Sequence, residues 1–549
     1  MRKRVSVCLA VLIVLASVVP AAVAGTGPAA IDEDREVAPQ RADPDSDTIG
    51  WEGGYWHDEP IDVDQSDGLS EEEFDAYVSR AMARVEYVRQ AEFQRDVPVE
   101  VISREEFQRQ RSANTTPNAS FDAWNDQVWE ALFVIGEDRE ANEELRSATG
   151  QSTAGFYVPA KDHIRIITDS PENPTIDNAT LVHELTHALQ DQQGDLGEQI
   201  TATETQDAGL ATDGVVEGEA NYIERQYTER CGVEWECVET PSSESSGAQE
   251  PPNLGILLTL LQPYSDGPVY IDYLLDQGGW DAVDAAFEDP PTSTEQIIHL
   301  KDEEPVPIDY RDRARNGWET FPNQGVDGSD TVGEASMYVM FWYQARTARA
   351  QTVSPRSVVE TTSPLDMYNY DATPSAGWGN DRVFPYHKGT GEDAQYGYVW
   401  VTEWDTERDA AQFHNAYRAI LDAHDARSQG DNTYVVPSGR FADAFRIDRE
   451  GTRVTIVNAP TVDDLSDVRP AGAGGSESGA SGDGDGDGGD GSAATSDGSS
   501  GDGTTAAAGG DDGDGGDSTG LEAPGFGPLT AVLALIATVA LAAVARRLN

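Results

Sequence analysis

The stretch from Ala471 to Gly520 sets the outer limit on what this 549-residue chain can fold into. It is made of Gly, Asp, Ser, Thr and Ala with almost nothing apolar, so it cannot bury enough surface to offset the entropy of ordering. Residues 470–523 therefore read as an extended, disordered acidic linker, and packed structure is confined to what precedes them. The run Asp483, Asp485, Asp487, Gly488 opens like an EF-hand calcium loop, but its twelfth position is Ala494 where a bidentate Glu is required, and no helical pattern flanks it.

Both ends carry addresses. Arg2, Lys3 and Arg4 precede an apolar run from Val5 to Val19, and Ala22-Val23-Ala24 puts small residues before Gly25, so residues 1–24 are expected to be a signal peptide removed by signal peptidase. Residues 25–67, polar and dotted with proline, are expected to be loosely ordered. Leu529 to Ala545 is uncharged and spans roughly 25 Å as a helix, and Arg546 and Arg547 follow it, so it reads as a transmembrane segment with a cytoplasmic C-terminus. With Pro524-Gly525-Phe526-Gly527 just before it, segment 524–549 resembles the PGF-CTERM sorting signal of haloarchaeal surface proteins. That resemblance implies that an archaeosortase removes the helix and a lipid replaces it; a permanent single-span anchor gives the same location. The chain is thus expected at the cell surface, on the outer face of the membrane. The sequons at Asn114, Asn118 and Asn178 are compatible with a glycoprotein there.

Charge narrows the partners. Against 37 Lys+Arg stand 99 Asp+Glu, a formal net charge of −62, which excludes nucleic acid as an electrostatic partner. The stretch from Ala471 to Ala523 holds only 12 of the acidic residues, so the folded part is acidic itself. Such a surface repels itself in dilute buffer and is relieved in molar salt, where the Debye length falls to about 3 Å. Lys occurs only at positions 3, 161, 301 and 388, and the whole pattern is that of a halophile's protein. Cys8 lies in the signal segment, leaving Cys231 and Cys237 to close a small disulfide loop in an oxidising exterior.

Within 68–469, Ser70 and Glu73 form a capping box that starts a helix of about 19 residues, with Phe74, Tyr77, Met82, Val85 and Val88 as its apolar stripe. Pro98 to Ile102 alternates like a strand, Phe121 to Leu145 is amphipathic and helical, and Gly155 to Val158 with His163 to Thr168 looks like a hairpin. Helices are expected to dominate thereafter, without internal repeats of roughly 20 to 50 residues.

The chemistry concentrates in the segment from Asn178 to Gln192, which runs as good helix formers to a stop at Gly194. His183 and His187 stand one turn apart on one face, where two imidazoles grip a single Zn²⁺, and Glu184 lies beside them to reach an activated water. Gln190 and Gln193 occupy the positions where a metzincin has Gly and His, so the third ligand must come from elsewhere. A following helical segment offers Glu217 and Glu219, about 200° apart on a helix, so that only one can face the metal.

His183-Glu-Leu-Thr-His187 followed by Glu217-Gly-Glu-Ala resembles a gluzincin-type zinc metallopeptidase, the clan that includes thermolysin. In the Glu-Gly-x-Ala form the glutamate before glycine is the ligand, which carries that role to Glu217, with Glu219 as its rival. Pro291 to His299, Gly377 to Asp381 and the block from Trp404 resemble zinc-peptidase-like proteins patchily over Gly155 to Asp422, implying one long catalytic unit. The implied fold is α+β: a mainly helical zincin-like unit with a small antiparallel sheet before the HExxH helix. The implied activity is hydrolysis of a peptide or protein substrate by a zinc-activated water, with Glu184 as base and His299 as a donor to the oxyanion. An edge strand at His163 to Thr168 is expected to pair with the substrate, and Asn221 to act behind Glu217. Trp378, Trp400 and Trp404 fit a specificity pocket or, more commonly, a core. The alternative to the enzyme is a non-catalytic zinc-binding or structural surface protein.

Overall fold

In the computed structural model, which describes residues 42–114, 118–150, 153–240 and 252–471, the first long helix is α1 (Glu71–Arg89). Its capping box closes both ways: the Ser70 hydroxyl accepts from the Glu73 amide, and the Glu73 carboxylate accepts from the Ser70 amide. The signal peptide, the linker beyond residue 471 and the sorting signal lie outside the described residues. Among the described residues no helix is long and apolar enough to cross a membrane.

Residues 48–67 depart from the loose order expected of them. β1 (Trp51–Glu52) and β2 (Tyr55–Trp56) pair antiparallel, and the Glu86 carboxylate on α1 accepts from the Gly50 amide. The Arg84 guanidinium donates to the His57 carbonyl, and His57 stacks on Tyr87 at 3.8 Å. Local polarity concealed this because the partners come from a helix some thirty residues on.

β3 (Val99–Ser103) leads into α2 (Arg104–Asn114), α3 (Ala119–Ala131) and α4 (Ala141–Gly150). The single helix read over Phe121 to Leu145 is therefore two. Phe133 takes a left-handed φ of 52°, and Leu132 to Ile135 are buried as a turn in the core rather than as a helical stripe. β4 (Gly155–Val158) and β5 (His163–Thr168) form the expected hairpin, but β5 also pairs with β3 in parallel. The strand order is β3-β5-β4, so the sheet is mixed rather than antiparallel, and β4, not β5, lies at its edge.

The HExxH segment is α5 (Asn178–Gln193), capped by the Asp177 carboxylate accepting from the Thr180 amide and ended at Gly194. α6 (Leu196–Ala202), α7 (Gln206–Arg230), α8 (Leu254–Leu260), α9 (Gln262–Gly278), α10 (Trp280–Glu288) and α11 (Thr294–His299) follow. α1, the small sheet, α5, α7, α9 and α10 share one core, including Tyr77, Val85, Tyr157, Leu185, Val215, Ile223 and Ile271. α7 crosses α9 at glycines: a Cβ on Gly218 would stand 2.6 Å from the Gly267 carbonyl carbon, and one on Gly267 would stand 2.5 Å from the Gly214 carbonyl oxygen. Only backbone fits there.

The C-terminal part carries a third, larger sheet that the sequence reading did not anticipate. β6 (Trp318–Thr320), α12 (Gly333–Thr347), β7 (Trp378–Lys388), β8 (Gln395–Trp404), α13 (Glu407–Ala423), β9 (Arg427–Gly430), β10 (Thr433–Val435), β11 (Ala444–Glu450), β12 (Arg453–Ala459) and α14 (Val462–Val468) occur in that order. The seven strands pair antiparallel throughout, in the order β6-β7-β8-β12-β11-β10-β9. Val383, Tyr398, Trp400 and Ile456 share a core with side chains of α3, α12 and α13, while Phe384, Val399, Val401 and Val457 share another with Leu465 and Val468 of α14. With both faces covered, β7 and β8 lack the alternation by which a half-exposed strand is read. Trp378, Trp400 and Trp404 are core residues, and the indoles of the first two donate to the buried Asp381 carboxylate. The protein is of mixed α+β class.

Candidate metal centre

α5 presents His183 and His187 on one face, their ring centroids 4.7 Å apart, and α7 crosses so that Glu217 meets both. Glu217 Oε2 lies 3.1 Å from His183 Nε2 and 3.4 Å from His187 Nε2. Ligand atoms about 2.0–2.2 Å from a tetrahedral zinc stand roughly 3.3–3.6 Å apart, so these two contacts are within a few tenths of an ångström of such a site. Further, His187 Nε2 and Glu217 Oε1 are buried without any hydrogen-bonding partner. Buried polar atoms without partners are rare, and a cation between them satisfies both. The donor set fits a divalent metal.

Neighbouring side chains fix the tautomers. The Gln190 amide nitrogen donates to the Val216 carbonyl and to Glu219 Oε2, which turns its oxygen towards His187 Nδ1 at 2.8 Å. His187 therefore carries its proton on Nδ1 and offers the Nε2 lone pair to the centre. Glu224 Oε2, 3.4 Å from His183 Nδ1, does the same for the second ring. Burial alone would lower the His183 imidazole, but Glu217 and Glu224 outweigh it and push it up to about 10. Burial alone would raise Glu217, but the two imidazoles hold it down to about 2. Without a metal, a proton on His183 provides positive charge beside Glu217 and Glu224.

α1 and α5 hold Glu217 and Glu219 differently. Arg89 forms an ion pair with Glu219 Oε1, and Gln190 takes Oε2, so Glu219 is turned away from the imidazoles. Gly218 between them is the contact point with α9, which accounts physically for glycine at that place in Glu217-Gly-Glu-Ala. The same crossing brings Tyr264 of α9 beside the centre, its ring stacked on His183 at 6.4 Å and buried.

Glu184 is fully buried, no side chain donates to its carboxylate, and the one donor acting on it is the backbone amide of Tyr157 on β4. Burial pushes it well above the usual carboxylate range, opposed chiefly by the charge on His183. His183, His187 and Glu184 are 0% exposed and Glu217 is 1% exposed, so the described residues enclose the centre.

His299 is not part of this group. Its Nε2 lies 3.0 and 3.1 Å from the two oxygens of Glu334 on α12, with Asp371 nearby, and no described contact joins it to His183, His187 or Glu217. The expected oxyanion role of His299 therefore finds no geometric support. Asn221 donates to the backbone carbonyl of Glu217, not to its carboxylate. The orienting work falls to Gln190 and Glu224, one turn past His187 and two turns past Glu217, a helical spacing that the sequence already displayed.

Cys231 and Cys237 form a disulfide just after α7, and Trp235 within that loop lies 4.7 Å from the Arg84 guanidinium of α1. Asn118 caps α3 and is exposed. Asn178 is held more tightly: its amide nitrogen donates to the Val238 carbonyl and its oxygen accepts from Tyr227. Asn114 is the last residue of α2.

Residues 319–469 match a family described as a domain of unknown function, DUF8575. That segment holds the seven-stranded sheet and contains none of the residues of the metal centre. No curated protein and no solved structure matches the chain.

Proposed function

We propose that the protein is a zinc-dependent peptidase of zincin-like design, exported and held at the cell surface by its C-terminal segment. The observation that carries the reading is the convergence of His183 Nε2, His187 Nε2 and the Glu217 carboxylate, with Glu184 next along the same helix. Zinc supplies Lewis acidity and makes water acidic near pH 7. Glu184 takes the proton of the attacking water onto a carboxylate oxygen and passes it to the leaving amine nitrogen. Gln190 and Glu224 hold the imidazoles in the tautomer that leaves both Nε2 atoms free. β4, the edge strand beside α5, offers main-chain groups on its outer side to an extended peptide.

A second reading, a zinc site without turnover, is favoured by the enclosure of all four side chains. Glu184→Gln separates the two. Under the peptidase reading the variant retains zinc and loses hydrolysis of a peptide library in molar salt by about 10²–10⁴-fold. A wild-type protein that carries one zinc and cleaves nothing leaves the second reading standing.

A further inference from the structure

A separate group of oxygen atoms lies between α3 and the C-terminal sheet. Glu130 of α3, Glu137 in the following turn and Asp443 just before β11 each bring a carboxylate oxygen within 4.8 Å of the others. Glu130 and Asp443 are 5% and 4% exposed. Gln127 donates its amide nitrogen to Glu130 Oε2 at 2.7 Å, and Asn458 on β12 donates its own to Asp443 Oδ2 at 2.9 Å.

What this leaves over is one-sided. Glu130 Oε1, Asp443 Oδ1, Gln127 Oε1 and Asn458 Oδ1 are all buried and all without a donor. The two amide oxygens are an observation independent of the carboxylates, and each belongs to a side chain already hydrogen-bonded to the cluster. Among the described residues no Lys, Arg or His forms an ion pair with Glu130, Glu137 or Asp443. The further charged group acting on Glu130, Asp126, is acidic too. Four buried acceptors with no donor are the inverse of a normally satisfied interior.

We propose that this cluster is a binding site for a hard divalent cation, calcium before magnesium, that ties α3 to the β11–β12 end of the sheet. Its donors are oxygens alone, carboxylate and amide, the set that calcium takes and that zinc does not prefer. Glu137 is the exposed member of the three, on the solvent side of the cluster. Magnesium demands near-ideal octahedral geometry at short distances, which carboxylate oxygens up to 4.8 Å apart serve less well than they serve calcium. The site is independent of the histidine centre. It draws Asp443 and Asn458 from the segment 319–469 and Glu130, Glu137 and Gln127 from outside it, so the cation joins the two parts.

The test uses the full chain in molar KCl, freed of calcium by chelation, with zinc restored. Wild type is expected to take up one tightly held Ca²⁺ per chain and to gain about 3 °C or more in Tm at a hundredfold excess over Kd. Glu130→Gln and Asp443→Asn, each isosteric, are expected to weaken that uptake at least tenfold and to abolish the Tm gain while zinc content is unchanged. Weak binding by the acidic linker is common to all three proteins and drops out of the comparison. Should either variant fail to fold, Tb³⁺ luminescence of the wild type, sensitised by the neighbouring Tyr398 and Tyr417 and displaced by Ca²⁺, is the expected signature. The proposal is overturned if wild type gains neither calcium nor Tm, or if both variants bind calcium as wild type does. It is equally overturned if acidification alone raises the Tm of the calcium-free protein and calcium adds nothing, since the carboxylates then share a proton instead.

Discussion

Replacing Gly218 by alanine sets two effects of opposite sign against each other. Alanine is favoured over glycine inside a helix by about 1 kcal/mol, so by local propensity the variant is more stable. The new Cβ, however, would stand 2.6 Å from the Gly267 carbonyl carbon, 2.7 Å from its oxygen and 2.8 Å from its Cα. These are backbone atoms of α9 and cannot rotate away. Reaching ordinary contact at 3.4 Å requires the helices to part by roughly 0.8 Å, and gaps of that size forfeit a quarter to a half of each dispersion contact along the seam. Overpacking of this kind costs typically about 1–3 kcal/mol and occasionally more, so packing outweighs propensity and the variant is destabilised by up to about 2 kcal/mol. Gly209 supplies the control on the same helix. Its Cβ would meet only the Thr203 hydroxyl, at 3.8 Å, so Gly209→Ala is expected to stabilise by up to about 1 kcal/mol. Calorimetric melting of both variants in molar salt reads the signs directly. If Gly218→Ala melts at or above the wild-type temperature, the backbone crossing of α7 and α9 described here is wrong.

Gln190→Leu removes the acceptor for His187 Nδ1 and is expected to weaken zinc binding by about 10–100-fold, measured by competition with a chromophoric chelator. The pH dependence of stability is set in part by buried aspartates far from the metal. Burial pushes Asp330 up to about 7 and Asp207 up to about 8. The folded state thus holds protons that the unfolded chain has already released, so their contribution is complete below about pH 4 and is lost as pH climbs through about 7 and 8. Asp330→Asn is expected to flatten the loss by about 1.4 kcal/mol per pH unit between pH 5 and 7, and an unchanged slope in denaturant melts would refute the assignment.

Features carried by local chemistry were legible in the sequence. The capping box at Ser70 and Glu73, the hairpin of β4 and β5, the α5 helix with its Gly194 stop and the Cys231–Cys237 loop each depend on residues close together in the chain. What escaped depends on partners far apart. The parallel pairing of β3 with β5 leaves no mark on either strand, and it moves the sheet edge from β5 to β4. Glu219 is turned from the imidazoles by an ion pair with Arg89, 130 residues away. The apolar run at Leu132 to Ile135 satisfies a helical pattern and a buried turn equally well, and the left-handed Phe133 decides for the turn. The seven-stranded sheet escaped because both its faces are covered, and because its terminal strand β9, Arg427 to Gly430, is polar and exposed. Tyr264 carries no motif and reaches His183 only through the glycine crossing.

The central claim is tested most directly by anomalous diffraction at the zinc edge from crystals grown in molar salt. The account predicts one strong peak within about 2.0–2.2 Å of His183 Nε2, His187 Nε2 and a Glu217 oxygen, with Glu219 still paired to Arg89. A map with no peak between the two imidazoles, or one in which the peak is bound by Glu219 instead, would contradict it.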